Sequence, residues 1–472
     1  MPTHDRAVAA ALSRREFLAS AALTTAAASL GCSHTPERIL TPGAGAAAPA
    51  RAAATLALPA PAQSGIDHVV LVMMENRSFD HLLGWLPGAD GRQAGLSFRD
   101  RAGVAHATHA LAPDFQGCGH PDPDHSYAGA RAAYDGGRCN GWLQAGSNDI
   151  FSIGYYQQQD LAFLGRAVPD WTTSDRYFAA ILGPTFPNRF YQHAAQTDRT
   201  GDTFAISTLP TIWDRLTARG LAGRYYYTDL PFLALWGFKY LPIARPAADF
   251  FAACASGTLP QVSFLDQSFV GEFTGTGSDD HPHADVRAGE HFLNTVYQAV
   301  TQGPAWERTL LVINFDEWGG FFDHVPPPVA PIPDADRAAG FRDGLRGFRT
   351  PLLVVSPYAR RGYVGHEVMD HTSVLRFIEW RWNLDPLTVR DAGAANLATL
   401  LDLGNPQRRA PQYAVPDVTG TVCLALPFLA RAADSGRAAT ADAGAPTAVS
   451  RGAEQRAALR ALAESHGFAV GH

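Results

Sequence analysis

Residues 66–84, IDHVVLVMMENRSFDHLLG, constrain the fold more than any other stretch of this chain. Residues 69–74 form an unbroken apolar run. The chain then switches abruptly to Glu75, Asn76, Arg77, Ser78, Phe79, Asp80 and His81. A short apolar run that ends in polar residues reads as a central strand delivering side chains at its carboxyl end. In open α/β sheets that edge is where ligands bind. A helix cap at Asn76 or Ser78 explains the switch equally well if the stretch is taken alone. The pattern recurs, however. In TLLVINFDEWGGFFDHVPPP, residues 310–315 are a second buried run, followed by Asp316-Glu317, a Gly-rich turn and Asp323-His324. Two such strands in one parallel sheet bring Glu75, Asn76, Asp316 and Glu317 within reach of one another. Residues 223–230 (GRYYYTDL), 262–267 (VSFLDQ) and 351–356 read as further strands of the same sheet.

The 472 residues suffice for one large α/β domain or two smaller ones, and 46% hydrophobic with 18% charged residues is ordinary globular composition. The formal charge is -7 with no Lys/Arg block, which excludes a nucleic-acid-binding surface. Lys239 is the only lysine, so a Schiff-base mechanism has one candidate, set in an aromatic-rich segment.

Arg14-Arg15 ahead of a mild apolar run reads as a twin-arginine (Tat) export signal over residues 1–32, with the Tat translocase as a partner during export. Cys32 as the lipidated first residue of a mature lipoprotein is the alternative, although Ser29 stands where Leu is usual. Residues 33–64 are an Ala/Pro-rich linker, 65–428 the catalytic domain and 429–472 an Ala/Arg-rich tail in which 454–464 read as a short helix. The product is expected in the periplasm or outside the cell. There a disulfide between Cys118 and Cys139, 21 residues apart in a Gly/Pro/Asp-rich region, is the expected pairing, with Cys254–Cys423 as a second option.

Three further segments carry chemistry. HPDPDHSY, residues 120–127, is a metal or phosphate site or a solvated turn. In GPTFPNRFYQHAA, residues 183–195, Pro187 fits the first turn of a helix, which places Thr185 just ahead of the helix N-terminus. Backbone N–H groups there favour an anion, so Thr185 is either a capping residue or a nucleophile facing phosphate. SDDHPHADV, residues 278–286, sets Asp279, Asp280, His281, His283 and Asp285 before a helix. The aromatic-rich residues 231–240 are core, a pocket wall or a membrane-facing loop. His371 precedes an amphipathic helix capped by Thr372 or Ser373, and lies near the site or in the core. Carboxylate, amide and hydroxyl oxygens from Glu75, Asn76, Asp316, Glu317 and Thr185 suit one hard divalent cation, Ca²⁺, Mg²⁺ or Mn²⁺ rather than Zn²⁺.

ENRSFDH, GPTFPNR, DHP and FDEWGGFFDHV, in this order and spacing, resemble the bacterial phosphoesterase family that includes non-haemolytic-type phospholipases C and an acid phosphatase. The resemblance runs over residues 65–405. It implies an alkaline-phosphatase-like three-layer α/β/α sandwich with a mostly parallel central sheet and a metal at its carboxyl edge. It further implies Glu75, Asn76, Thr185, Asp316 and Glu317 as the metal shell, with Thr185 the nucleophile. His125, His281 and His324 match histidines lining the phosphate pocket, Asp323 would orient His324, and His371 is a supporting residue. Thr rather than Ser at the nucleophile is associated with the phospholipase C branch. Leu82 departs from the family's usual aromatic, and the tail after residue 427 is too short for the extra β domains of some members.

The expected activity is hydrolysis of phospholipid phosphodiesters, with transient contact at a membrane surface. The alternatives are an acid phosphatase on small phosphate monoesters and an exported, non-catalytic binding protein. A sulfatase lacks its Cys/Ser-x-Pro-x-Arg pattern here.

Overall fold

The two apolar runs lie side by side at the centre of the sheet. The computed structural model describes residues 58–269, 271, 277–418, 420, 422–423 and 448–470. The export signal, Cys32 and most of the linker lie outside the described residues. The central sheet has eight strands: β1 (His68–Met74), β2 (Thr172–Ser174), β3 (Gly223–Tyr227), β4 (Ala244–Pro246), β5 (Val262–Asp266), β6 (Thr309–Phe315), β7 (Leu352–Val355) and β8 (Tyr363–Gly365). Their spatial order is β8-β2-β7-β6-β1-β5-β3-β4. β6, β1, β5, β3 and β4 run parallel. β7 is antiparallel to both β6 and β2. β1 and β6 are buried along nearly their whole length, as strands covered on both faces must be.

The helices that matter for the site are α1 (Phe79–Leu83), α2 (Tyr127–Tyr134), α3 (Thr185–Ala194), α4 (Ile212–Ala218), α5 (Ala247–Ser256), α6 (Val286–Gln302), α7 (His371–Trp382) and α8 (Ala448–Ser465). They cover the sheet in two groups: α3 packs on α4 and α7, while α5 packs on α6. The architecture is therefore the expected α/β/α sandwich. Among the described residues no helix is long and apolar enough to cross a membrane.

Register explains why the strand ends converge. Met74 is level with Phe315, so Glu75 and Asp316 leave the sheet side by side. Val72 is level with Leu265, so Asp266 ends the neighbouring strand at the same edge.

Two local expectations are corrected, and a third is narrowed. Cys118 is bonded to Cys423, across 305 residues, and Cys139 and Cys254 are free and buried. Cys139 is instead built into a small apolar cluster with Trp142, Trp318 and Phe322, its carbonyl accepting from Trp142 Nε1 at 2.7 Å. The cap of α7 is Asp370, not Thr372 or Ser373, because the Asp370 carboxylate reaches the Thr372 N–H at 2.8 Å. The 231–240 segment is mostly buried as part of a 3₁₀ stretch, Phe232–Ile243, with Phe238 exposed.

Residues 448–470, grouped with the tail on composition, form α8 and its extension. This helix packs on the 3₁₀ stretch and buries Leu459, Ala463 and Phe468.

Candidate active site

The loop between β1 and α1 is built to present two side chains and lock the rest. Asn76 has φ 54°, the left-handed region that Asn tolerates better than most residues. Its N–H donates to Asp316 Oδ1 at 3.1 Å, and the Glu317 N–H donates to the same oxygen at 2.6 Å. One carboxylate thus ties both strand ends together. Gly319 is required here: a Cβ would lie 1.9 Å from the Asn76 carbonyl oxygen, and its φ is +64°. Arg77 spans away from the cavity, donating to the Asp280 carbonyl at 2.5 Å and the His281 carbonyl at 3.1 Å. It fixes the loop that carries His281. Ser78 caps α1 by accepting from the His81 N–H at 3.2 Å.

Thr185 is the first residue of α3, one position further into the helix than the sequence suggested. The Asn188 amide staples the preceding turn, donating to the Gly183 carbonyl at 2.8 Å and accepting from the Ile181 N–H at 3.1 Å. Thr185 Oγ1 then lies 3.4 Å from Asn76 Oδ1. Part of the anion seat at this helix end is occupied by the protein itself, since Asp202 Oδ1 accepts from the Phe186 N–H at 2.8 Å.

Arg189, one turn along α3, is the residue sequence reasoning missed. Its guanidinium meets Glu75 at 2.6 Å, Asp266 at 2.9 Å and Asp316 at 3.1 Å, all four groups being buried. Even so, burial, reinforced by neighbouring acids, drives the carboxyls up: Glu75 well above its usual range, Asp316 to about 7 and Glu317 to about 8. Glu317 Oε1 is buried without a hydrogen bond; the nearest cationic group is His125 Nε2, 3.8 Å away. Burial opposes charge on the His125 imidazole, but Glu317 and Asp122 outweigh it and push it up to about 10. His281 goes the other way: burial first, then His125 and other cations, holds it well below the histidine range.

A cavity of about 820 Å³ opens over these groups. Glu75, Thr185, His125 and His281 line it, together with Leu230, Phe232, Phe269 and Leu459. His371 lies beneath, buried, its Nε2 2.8 Å from the Asp316 carbonyl and its Nδ1 3.0 Å from the Tyr177 hydroxyl.

His324 is placed differently from the expectation. Its Nδ1 lies 2.5 Å from Asp80 Oδ2 and its Nε2 3.1 Å from Asp90, apart from the residues lining the cavity. Asp323 does not orient it, because the buried Arg349 takes that carboxylate at 3.0 Å. Among the described residues, acid and imidazole atoms converge within 4.8 Å in Asp122–His125–His281 and in Asp80–Asp323–His324. Glu75, Asp316 and Glu317 belong to neither group; Arg189 stands against Glu75 and Asp316.

The chain belongs to the Phosphoesterase family, which it matches over residues 66–385. That membership, with the phospholipase C relatives, makes the chain a hydrolase of phosphoester bonds. It is 30% identical over 495 residues to phospholipase C B of Mycobacterium tuberculosis, covering 89% of this chain and 90% of that protein. It is 30% identical over 399 residues to non-specific phospholipase C1 of Arabidopsis thaliana, covering 75% and 74%. Non-hemolytic phospholipase C of Pseudomonas aeruginosa is 29% identical over 488 residues, covering 86% and 66%. Among solved structures, phosphonate monoester hydrolase of Agrobacterium radiobacter aligns over 72% of this chain and 78% of its own, with 10% identity and a TM-score of 0.37.

Proposed function

We propose that this protein is an exported phospholipase C-type enzyme that hydrolyses phospholipid phosphodiesters through Thr185. The observation that carries this reading is the lining of the cavity of about 820 Å³, which holds Thr185, His125 and His281 together with the apolar side chains of Leu230, Phe232, Phe269 and Leu459, as a substrate with an apolar ester substituent would need. The relatives named phospholipase C support the same substrate class.

One divalent cation would be held by Glu75, Asn76, Thr185, Asp316 and Glu317. The donor set fits: it is all oxygen, it includes the unbonded Glu317 Oε1, and its carboxylates exceed what Arg189 neutralises. When bound, such a cation lowers the hydroxyl's pKa and offsets charge on the phosphoryl group.

Thr185 Oγ bonds to phosphorus in line as the bond to the leaving alcohol breaks; its hydroxyl proton passes to solvent in the cavity and returns from it when the phospho-threonine is hydrolysed. His125, protonated across the neutral range, gives that alcohol its proton. Water then attacks the phospho-threonine from the opposite side, and the neutral His125 takes its proton. His281, held neutral, donates or accepts one hydrogen bond in the pocket without adding charge. Asn188 and Arg77 keep the Thr185 turn and the His281 loop in place.

The test uses p-nitrophenyl phosphorylcholine and p-nitrophenyl phosphate, each with and without chelator. Preference for the diester and loss of turnover on chelation are expected, with Thr185→Ala inactive on both. Full activity of Thr185→Ala rejects the nucleophile, and preference for the monoester points to a phosphatase. Export through the Tat route predicts that replacing Arg14 and Arg15 by lysines retains the protein in the cytoplasm.

A further inference from the structure

Three elements that line the cavity run on from it to one exposed apolar patch. In the 3₁₀ stretch Phe232–Ile243, Phe232 lines the cavity and Phe238 stands 64% exposed, with Pro242 exposed beyond it. In the loop after α3, Asp202 lines the cavity, and Phe204 packs edge-on against the cavity residue Phe186, ring centroids 5.5 Å apart. Ile206 of that loop is 44% exposed. In α8, Leu459 lines the cavity, and His466 stands two turns further along the same face. The His466 N–H still bonds back to the Leu462 carbonyl at 3.2 Å, and its ring packs on Phe238 with centroids 4.5 Å apart. Two turns of helix put the patch about 10 Å from the Leu459 wall of the cavity.

Gly237 sits at the centre of the patch. Its φ of 62° with ψ of -139° is a conformation that favours glycine, and the chain turns there from the buried half of the stretch to the exposed Phe238. His466 and Ile206 lie 3.3 and 3.7 Å from where a Cβ on Gly237 would stand, so both close on the same glycine.

Area and charge select what covers this patch. A few side chains fall short of the roughly 800 Å² per partner that a stable protein interface buries. A bilayer surface needs only a few apolar side chains to enter it. The one lysine, Lys239, follows Phe238, but its ammonium is held by Asp214 at 2.7 Å, and the formal charge of the chain is -7. Attraction to anionic lipid is therefore not what this surface offers, and a zwitterionic bilayer suits it. A phospholipid stands with its phosphate at the bilayer surface, so an enzyme that takes it must meet that surface close to its cavity.

We propose that Phe238 and Ile206 insert into the surface of a zwitterionic phospholipid bilayer and set the cavity against its substrate. This rests on the phospholipase reading of the cavity.

The experiment uses the full chain, phosphatidylcholine vesicles and the water-soluble p-nitrophenyl phosphorylcholine. Phe238→Ser should lower vesicle binding in co-sedimentation, and turnover of vesicle lipid with it, by about 10-fold or more, while turnover of the soluble ester stays within about 2-fold. Ile206→Ser should lose part of the binding, and both variants should melt as wild type does. Phe238→Trp should bind as wild type does, because Trp also seats at a membrane interface. Val329→Ser, at a residue exposed elsewhere in the chain, should change nothing. Raising salt from about 0.1 M to about 0.5 M should leave binding unchanged, because screening does not weaken an apolar contact. Wild-type vesicle binding in folded Phe238→Ser overturns the proposal, as does binding that is lost in high salt. So does a wild-type dimer, seen by sedimentation velocity without lipid, that Phe238→Ser dissociates, since the patch then belongs to a second copy. A wild type that binds vesicles through Phe238 but turns over neither substrate overturns the phospholipase reading instead.

Discussion

Arg189 Nη2 lies 2.6 Å from Glu75 Oε1, and through the same guanidinium α3 is pinned to three strand ends at once. The contact joins the helix that carries Thr185 to the strand that carries Glu75. It therefore sets the distance between Thr185 and the acid set as well as contributing to stability. Arg189→Met should leave Glu75, Asp266 and Asp316 buried without their cation, at a cost of about 3–5 kcal/mol. Urea denaturation should show this loss growing as pH rises through 6–7, where Asp266 and Asp316 ionise in the parent protein. A stability unchanged within error would show that the acids find other partners.

His324 and His125 should separate cleanly. His125 lines the cavity, whereas His324 bridges Asp80 and Asp90 beside Arg349. His125→Ala should lower kcat by about 10²–10⁴-fold, the usual worth of a general acid. His324→Ala should keep kcat within a few-fold and lose about 1–3 kcal/mol of stability, since Asp80 is fully buried and gives up one of its partners. Steady-state kinetics of the two variants, measured beside their melting curves, decide it.

The contrast shows what can be read from the chain. The strand ends were legible because β1 and β6 are buried, mostly apolar runs that stop at charged residues. The Thr185 turn was legible because Gly-Pro breaks the chain ahead of a helix. Arg189 was not, because its three partners come from three different strands and no local pattern signals a buried triple ion pair. His324 looked equivalent to the pocket histidines, since Asp323 precedes it in sequence. Arg349, arriving 26 residues later, captures that carboxylate. β7 read simply as another buried strand, because apolarity carries no information about direction. α8 was set aside as tail, because its Ala-rich sequence marks no clear apolar face, and its seat is made by aromatic residues more than two hundred positions away.

The disulfide is the same kind of long-range fact. Cys118 precedes the His125 loop, and Cys423 lies near the end of the main body, with Cα atoms 5.2 Å apart. Closing so long a span restricts the unfolded chain, so Cys118→Ser should cost about 2–5 kcal/mol under oxidising conditions. The Cys139→Ser variant serves as the comparison, and reduction with dithiothreitol should remove the difference between wild type and Cys118→Ser. A wild-type melting temperature indifferent to reductant would count against the bond.

Glu290 on α6 gives a pH dependence independent of the active site. The residue is buried, and its Oε2 accepts from the Leu164 N–H at 3.0 Å and from the Phe163 N–H. Burial nonetheless outweighs these bonds and pushes the carboxyl up to about 7. The folded state therefore holds a proton that the unfolded state, titrating near the ordinary glutamate value, has already lost. Between pH 4.5 and 7 the native protein binds more protons than the unfolded chain, so its stability must fall as pH rises. The full contribution is present below pH 4.5 and lost above 7, and its size is about 3 kcal/mol. Glu290→Gln keeps an acceptor for the two N–H groups and removes the titration. It should flatten this part of the stability profile and leave the variant more stable than wild type at pH 8. Parallel urea melts from pH 5 to pH 8 would show it, and profiles that fall with the same slope in both proteins would assign the dependence to other groups.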